Sequence, residues 1–555
     1  MVIDSHRTAS RRRLARLAAS VAALALVSTT FATSGGASAP DRRAHGAGSG
    51  GEITFGLENE TDTANGYCLP RSQLAISGIQ VAAAVYDTLM VPNTKGEYVP
   101  YLAEAVTPNA DFTEYTIKLR EGVTFHDGTP LDSTALKLNL DTYSGEPGAP
   151  QSAPLFSSFL QKLLVSNDIV DDLTVLVRLT QPMPQYPSYL YGTGRFGIVA
   201  PAQLNLGDEC ATTMIGTGPF VCNEGCWTPG ESTVLDANPD YWQEGYPKAS
   251  KLTFVPVPES AQRLTALRGG ELDVLHLDAA QEILQLDKVK SDFNLVVQKP
   301  GVREVRYYFM NSAKPPFDTL DGRLAVAYAI DRDEINQISN KGLFTLADGI
   351  MDVDAPGYLP DAGIPQFNLK KAKALVQKVI DATGSFDVTL LADTSDPSNV
   401  REAQIVKEQL EKAGMTVTLP PTAAQASFIN DAIAGNFGLF LFRNQHGGAT
   451  NMIDVDLVPW FGDGSLVNFG RVEDAGLEDA LQAGRLTADI NERTDFYETV
   501  NQTISENVYI LPMWYVDWTI GSAKNVKVKL PKLPDGGGKP LFVYGRIPVL
   551  GIAKG

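Results

Sequence analysis

Histidine and cysteine are scarce in this sequence, which has five histidines and four cysteines among 555 residues. Four cysteines in so long a chain exclude a miniprotein held together mainly by disulfides. The sequence also lacks the H-E-x-x-H, Walker and G-x-S-x-G motifs of zinc proteases, phosphate-binding loops and serine hydrolases. With so few histidines available as catalytic bases, a secreted hydrolase is only a remote alternative, and we expect no enzyme activity and no cofactor.

The sequence has fewer basic than acidic residues, 46 Lys and Arg against 65 Asp and Glu, which gives a formal charge of −19. An acidic surface repels phosphate backbones, so nucleic acid is excluded as a partner. The hydrophobic content of 44% and the charged content of 20% are typical of a globular protein. The length predicts either two large lobes or three to four smaller units.

Only one long apolar run exists, and it lies near the N-terminus at residues 17–31. Five arginines precede it and small residues follow it, ending in Ala-Ser-Ala at 37–39, which is the order of a secretory signal peptide over residues 1–39. The run is too short for a comfortable membrane anchor. The stretch SRRRL at 10–14 resembles a twin-arginine export signal, which leaves the export route open.

Export fixes further expectations for the mature chain. No cysteine follows the apolar run, so lipid attachment there is excluded. Removing residues 1–39 leaves 41 basic and 64 acidic residues, a formal charge of −23. We therefore expect an acidic protein in the periplasm or outside the cell, with a flexible Gly/Ala/Ser-rich leader at residues 40–51.

Strand and helix patterns alternate along the rest of the chain, which predicts an α/β protein. Residues 115–119 and 123–125 read as two strands, and the alanine-rich stretch 324–338 reads as one helix. Amphipathic helices are predicted at 369–382 and 400–413. Each is followed by a strand, at 387–391 and at 416–419.

The four cysteines allow three disulfide connectivities in an oxidising compartment. Cys222 and Cys226 flank a three-residue turn between two strands, so we favour that pair, which leaves Cys68 with Cys210. A zinc site is the competing interpretation, but the C-x3-C spacing lacks its usual partners.

A polar, glycine-bearing loop follows the apolar run at 437–442 and reads RNQHGG at 443–448. Ligands of α/β proteins bind where strands end in such loops. Arg443 could bind a carboxylate or another anion of the ligand through bidentate hydrogen bonds from its guanidinium. The alternative is that it forms a buried structural ion pair. His446 leaves a metal chelate open as ligand, although one imidazole is a weak basis for it.

Four stretches together resemble a known family. They are YTIKLREGVTFHDGTP at 115–130, IGTGPF at 215–220 with DANPDYW at 236–242, RLTALRGGELDV at 263–274, and NSAKPPFDTLDGRLAVAYAIDR at 311–332. In this order the sequence is similar to the extracytoplasmic solute-binding proteins of family 5. These are the oligopeptide-, dipeptide- and nickel-binding receptors of ABC importers.

The resemblance implies an α/β periplasmic-binding-protein fold (type II, large cluster) with two lobes, mixed sheets and a cleft between the lobes. It places residues 52–306 plus 516–555 in a discontinuous lobe I and residues 307–515 in lobe II. It also implies that a small, peptide-like solute is bound by a monomer and delivered to a membrane permease. Metal-chelate (nickel-type) and oligosaccharide receptors of the same fold remain alternatives.

The resemblance also implies which residues face the cleft. Family peptide binders carry cleft residues in the loop where this chain has Arg443, Asn444, His446 and Gly447. Trp514, Tyr515 and Trp518 lie on the final strand near the predicted crossover, with Trp460 on the same side, and Tyr67 belongs to a first-lobe segment that faces the cleft in relatives. Core packing is the alternative role for each aromatic side chain.

One departure from the family concerns charge. Peptide-binding relatives use an acidic residue in the second-lobe loop to hold the amino terminus of the peptide, because a buried ammonium needs a paired charge. Here residues 447–453 are all small or neutral, and the nearest carboxylates are Asp454 and Asp456.

Overall fold

The structure is a computed structural model that describes residues 48–59, 66–72, 74–151, 158–278, 291–297, 301–394, 396–422, 425–446, 453–462, 464–543 and 545–555. The predicted signal peptide lies outside these residues. The described helices are Ile76–Val85, Ser133–Ser144, Tyr186–Tyr189, Pro201–Leu204, Ser260–Gly269, Leu320–Ala329, Arg332–Asn340, Leu369–Thr383, Pro397–Ala413, Gln425–Ala434, Ile453–Phe461, Ala475–Leu486 and Ile490–Glu506.

Short polar side chains set where several of these helices begin. Asn368 accepts a hydrogen bond from the backbone N–H of Lys371 at 3.0 Å and so caps Leu369–Thr383. Asp396 caps Pro397–Ala413 in the same way, through the N–H of Ser398 at 2.7 Å. Capping satisfies N–H groups that have no partner within the helix. Both helices also bury one face, which confirms the amphipathic patterns.

The single helix predicted over 324–338 is wrong. The structure has two helices, Leu320–Ala329 and Arg332–Asn340, separated by two extended residues, Ile330 and Asp331. Asp331 accepts a hydrogen bond from the N–H of Glu334 at 3.0 Å, so it starts a new helix instead of continuing the first one. The alanine-rich composition concealed this N-cap.

The largest sheet has eight described strands and is called here the large sheet. Seven of them follow one another across it in the order Phe293–Val297, Thr519–Ala523, Val274–Leu277, Glu52–Leu57, Lys251–Pro256, Ser232–Ala237 and Phe220–Val221, and Trp227–Thr228 also pairs with Ser232–Ala237. Glu52–Leu57 is parallel to both of its neighbours. Gly48 and Gly50, in the predicted leader, donate backbone hydrogen bonds to Pro247 and Lys248 at 2.8 and 2.7 Å.

A second, five-stranded sheet is built from the middle of the chain. Its strands lie in the order Thr416–Thr418, Asp387–Leu391, Leu439–His446, Glu304–Met310 and Ile510–Val516. The chain therefore leaves the large sheet after Val297, enters this sheet at Glu304, leaves it at Val516 and rejoins the large sheet at Thr519. Two chain crossings thus connect the sheets.

A four-stranded antiparallel sheet lies in the order Ala103–Pro108, Glu114–Leu119, Thr174–Leu179 and Leu164–Asp171. The strand predicted at 123–125 is wrong, because Thr124 makes only an isolated bridge with Pro130. Two short hairpins complete the described sheets: Met90–Pro92 with Tyr98–Pro100, and Val526–Val528 with Ile552–Lys554.

Glycine is required at position 218 by close backbone approach. The N–H of Gly218 donates to the carbonyl oxygen of Val85 at 2.8 Å. A Cβ atom at this position would lie 2.5 Å from that oxygen. The IGTGPF stretch therefore holds the end of helix Ile76–Val85 against the strand Phe220–Val221.

Two disulfides join Cys68 to Cys210 and Cys222 to Cys226, with Cα atoms 5.3 and 5.4 Å apart. The first connects positions 142 residues apart, and the second spans only four. Among the residues that the structure describes, every helix is too short or too polar to cross a lipid bilayer.

We predict that replacing both Cys68 and Cys210 by Ala destabilises the protein more than replacing both Cys222 and Cys226. Loop-closure entropy gives about 5 kcal/mol for the long loop and about 2 kcal/mol for the short one. Urea unfolding under non-reducing conditions measures both double variants against the parent. An equal or larger loss for the Cys222/Cys226 variant would show that chain entropy does not set the difference.

Candidate functional site

A cavity of about 190 Å³ opens where the large sheet and the five-stranded sheet face each other. Glu58 and Asp278 line it from the large sheet, directly after the strands Glu52–Leu57 and Val274–Leu277. These two strands are parallel neighbours, so their carboxyl ends lie at the same edge. Residues just beyond such strand ends are the usual binding positions of α/β proteins.

Arg443 connects the two sheets across this cavity. It lies on the strand Leu439–His446 of the five-stranded sheet. Its Nη1 donates to Asp278 Oδ2 at 2.6 Å, and its Nη2 donates to Glu58. The guanidinium also lies over the Trp518 ring, 4.7 Å from the ring centroid. One largely buried cation is therefore held by two carboxylates that follow strands of the large sheet and by the ring of Trp518, which lies on the crossing.

A second guanidinium supports the same cluster. Arg263 is only 1% exposed, and its Nη2 donates to Asp278 Oδ1 at 2.8 Å. Burial opposes ionisation of Asp278, but Arg443 and Arg263 outweigh it and hold the pKa of Asp278 below its ordinary value. Burial likewise works against the charge of Arg443, yet Glu58 and Asp278 raise its pKa above the usual range. Both groups stay charged.

Glu304 adds a third carboxylate beside the same cations. Its Oε2 accepts a hydrogen bond from Trp518 Nε1 at 2.7 Å. Burial raises the pKa of Glu304, and burial raises the pKa of Glu58 to about 7 against the opposing effect of Arg443. Because burial outweighs the nearby guanidinium groups, Glu58 and Glu304 take up a proton more readily than an exposed glutamate does.

A separate ion pair lines the cavity from the five-stranded sheet and its helices. Arg306 donates from Nη2 and Nε to Glu402 Oε2 at 2.8 and 3.1 Å. The Tyr308 hydroxyl donates to Glu402 Oε1 at 3.0 Å. Glu402 lies on helix Pro397–Ala413, so the pair fixes this helix to the strand Glu304–Met310.

Aromatic side chains supply much of the apolar lining. Trp460 packs against Phe442 and Phe469 with ring centroids 5.8 and 5.4 Å apart. Phe344 and Trp514 form a second aromatic pair, stacked at 18° with centroids 6.2 Å apart. All five line the cavity. The cavity lining therefore combines paired charges with aromatic side chains, which suits an organic solute.

The structure brings together three of the residues proposed from the sequence: Arg443, Trp460 and Trp514 all line the cavity. Trp518 lies behind the lining, under the Arg443 guanidinium. Asn444 and His446 belong to the strand Leu439–His446. Their side chains, and the whole of Gly447, lie outside the described residues.

Two of the proposed residues point elsewhere. The Tyr515 hydroxyl donates to the carbonyl oxygen of Met351 at 2.9 Å, and Tyr515 is not part of the lining. Tyr67 is fully buried beside Cys68 and packs edge-on against Trp227, with ring centroids 5.1 Å apart. Both positions are those of core residues.

Sequence reasoning missed Glu58, Asp278, Arg306 and Glu402. Glu58 and Asp278 had a usable signal, since each directly follows a strand of the large sheet. Arg306 and Glu402 are 96 positions apart and carry no local motif that connects them. Within the described residues, no cluster of three or more His, Cys, Asp or Glu side chains has an arrangement that could hold a metal ion.

Known proteins with a similar sequence are solute-binding proteins. The glutathione-binding protein GsiB of Escherichia coli strain 536 is 26% identical over 456 residues, which cover 80% of this chain and 86% of the relative. The GsiB of Shigella dysenteriae serotype 1 aligns to the same extent.

Solved structures show the same fold at lower identity. AgaA of A. tumefaciens R10, in complex with agropinic acid, superimposes with a TM-score of 0.78 at 24% identity, over 91% of this chain and 99% of its own. A dipeptide-binding protein of Pseudoalteromonas sp. SM9913, in complex with Met-Leu, gives a TM-score of 0.76 at 19% identity, over 91% and 100%. These matches confirm the predicted periplasmic-binding-protein fold.

The family model for bacterial extracellular solute-binding proteins, family 5 (middle region), matches residues 97–465. That match covers well over half of the chain and includes the second sheet's strands up to Leu439–His446. The chain belongs to the bacterial extracellular solute-binding proteins of family 5.

Proposed function

We propose that this protein is the extracytoplasmic receptor of an ABC importer, and that it captures a peptide or a peptide-like small organic solute in the cavity between the two sheets. The observation that carries the proposal is Arg443, which joins the sheets directly at the cavity through Glu58 and Asp278. The receptor acts as a monomer, releases its solute unaltered to a membrane permease and has no enzymatic step.

The proposed lobes are residues 52–306 plus 516–555 and residues 307–515. Sheet membership supports this division, because the described strands of the large sheet end by Val297 or begin after Val516, and those of the five-stranded sheet lie between Glu304 and Val516. The two crossings then serve as the hinge. A solute that touches both lobes binds the closed form best and shifts the population towards it.

The peptide class is favoured by the relatives. GsiB is named for glutathione, and the Pseudoalteromonas protein was solved with Met-Leu. The described lining has carboxylates and also Arg401, an exposed guanidinium without an ion pair among the described residues, and these complement a solute that carries both charges. The nickel-chelate and oligosaccharide alternatives have no comparable support in the described site.

Thermal unfolding with candidate ligands tests this proposal. Met-Leu, glutathione, nickel–histidine and maltotriose would each be added at increasing concentration, and only a bound ligand raises the melting temperature. We expect a dose-dependent rise with the peptides. A rise with maltotriose or nickel–histidine alone would assign the receptor to another solute class, and turnover of any added peptide would refute a purely binding role.

We predict that Arg443→Met weakens the closed form by about 3–5 kcal/mol, because it leaves Glu58 and Asp278 buried without this guanidinium. Opening would hydrate both carboxylates, so the ligand-free variant should show a larger radius of gyration in small-angle X-ray scattering. Arg401→Met is the matched control: Arg401 lines the same cavity, is exposed and has no ion pair among the described residues. A radius of gyration equal to that of the parent in both variants would rule out this role of Arg443.

We predict that Trp514→Ala weakens binding of the best dipeptide at least tenfold, because a buried aromatic anchor of the cavity is lost. Isothermal titration calorimetry measures the change, and Trp514→Phe should restore part of it. Trp227→Ala removes a buried aromatic side chain outside the lining and should lower the melting temperature without changing affinity. If Trp514→Ala binds as the parent does, Trp514 is a packing residue only.

A further inference from the structure

The end of helix Arg332–Asn340 brings two polar side chains into the cavity. Ser339 and Asn340 both line it, and Asn340 is only 7% exposed. The Asn340 Nδ2 and the Ser339 Oγ are buried, and neither has a hydrogen-bond partner among the described residues. Buried polar atoms of proteins are nearly always paired with protein, water or a ligand, so these two atoms in the lining of one cavity leave hydrogen bonds for its contents to make.

The backbone around these two residues is firmly held. The carbonyl oxygen of Asn340 accepts from the N–H of Leu343 at 3.1 Å. Asn336, one turn earlier, donates from Nδ2 to the carbonyl oxygen of Phe344 at 2.8 Å. The two unpaired side-chain atoms are therefore presented by a fixed turn, as preorganised recognition requires.

The aromatic pair Phe344 and Trp514 lies beside Ser339 and Asn340. Phe344 follows Asn340 by four residues and stacks on Trp514. Phe442, Trp460 and Phe469 form a second aromatic group in the same lining. The cavity volume of about 190 Å³ exceeds that of an apolar cavity of about 150 Å³ that is known to bind benzene. The cavity as a whole thus has room for a ring-sized apolar group.

Charge decides what Asn340 recognises. The C-terminal end of a helix carries a partial negative charge, so a carboxylate is disfavoured next to Asn340 and a neutral carbonyl is not. Two of the guanidinium groups that line the cavity, those of Arg443 and Arg306, are already held by carboxylates of the protein. An anionic group of a solute would have to compete with these internal partners or bind Arg401, which lines the same cavity without an ion pair among the described residues.

We infer that the solute is a short peptide or related amide with a bulky apolar side chain, whose backbone carbonyl accepts a hydrogen bond from Asn340 Nδ2 and lies beside the Ser339 hydroxyl. The apolar side chain packs among Phe344, Trp514 and the second aromatic group. This inference rests on the proposed peptide-receptor function and narrows it. It also separates this receptor from a glutathione receptor, because glutathione has no such side chain.

A matched dipeptide series tests the apolar preference. Ala-Phe, Phe-Ala, Ala-Ala and Ala-Glu share the same termini, and isothermal titration calorimetry gives an affinity for each of them and for glutathione. Burying one aromatic ring should make the better of Ala-Phe and Phe-Ala bind at least tenfold tighter than Ala-Ala, Ala-Glu or glutathione. Equal affinities across the series would overturn the apolar preference and leave the receptor function standing. Failure of every peptide would overturn both.

Asn340→Leu tests the hydrogen bond from Asn340 Nδ2 to the solute. If Asn340 contacts the solute, the variant should lose affinity without losing thermal stability, which a purely structural role would not produce. The substitution removes a buried donor that is unpaired without ligand, so the ligand-free variant should melt at the same temperature as the parent or higher. Binding of the tighter phenylalanine dipeptide should nevertheless weaken at least fivefold. Ser339→Ala is the milder variant and should weaken it less.

Gln337→Leu is the control on the same helix, since Gln337 is exposed and outside the lining. It should change neither the melting temperature nor the affinity beyond a small amount. Unchanged affinity in both Asn340→Leu and Ser339→Ala would overturn the carbonyl contact. A large drop in the melting temperature of ligand-free Asn340→Leu would also overturn it, since Asn340 would then support the fold itself.

Discussion

A largely buried guanidinium needs compensation, and in this protein Arg443 finds both of its hydrogen-bonded carboxylates across the gap between two sheets. Its own strand belongs to the five-stranded sheet, whereas Glu58 and Asp278 follow strands of the large sheet. Removing one partner of a buried ion pair costs far more than the pair gains by forming. The positions of the two sheets are therefore coupled through the ion pairs of Arg443, and the cavity lies where this coupling occurs.

The remaining site follows from that constraint. Two parallel strands must end side by side for Glu58 and Asp278 to reach one guanidinium, which is what the pairing of Glu52–Leu57 with Val274–Leu277 provides. Trp518, on the return crossing, covers the cation with its ring and gives its N–H to Glu304. The same crossing thus connects the sheets and closes the floor of the cavity.

Much of the fold could be predicted from the sequence because its signals are local. Helix Leu369–Thr383 shows its amphipathic period, its Asn368 cap and its final Gly384 within a few residues. The split at Asp331 was missed because a composition rich in alanine dominates the period there. Arg443 was recognised as a cation for an anionic partner, but whether that partner is a ligand or the protein itself depends on Glu58, 385 positions away. No pattern in a single sequence connects such distant residues.

The charges of the site and its unpaired atoms have different consequences for selectivity. Arg443 and Arg306 are strong groups, but their carboxylate partners already satisfy them, so a solute gains little by replacing one anion with another. Asn340 Nδ2 is a weak donor that is buried and unpaired, and any neutral acceptor placed there removes a cost that the empty cavity carries. In the proposed receptor, discrimination between solutes therefore falls on Asn340, Ser339 and the aromatic side chains of the lining, together with Arg401, which has no ion pair among the described residues, and the ion pairs across the cavity favour its closed form.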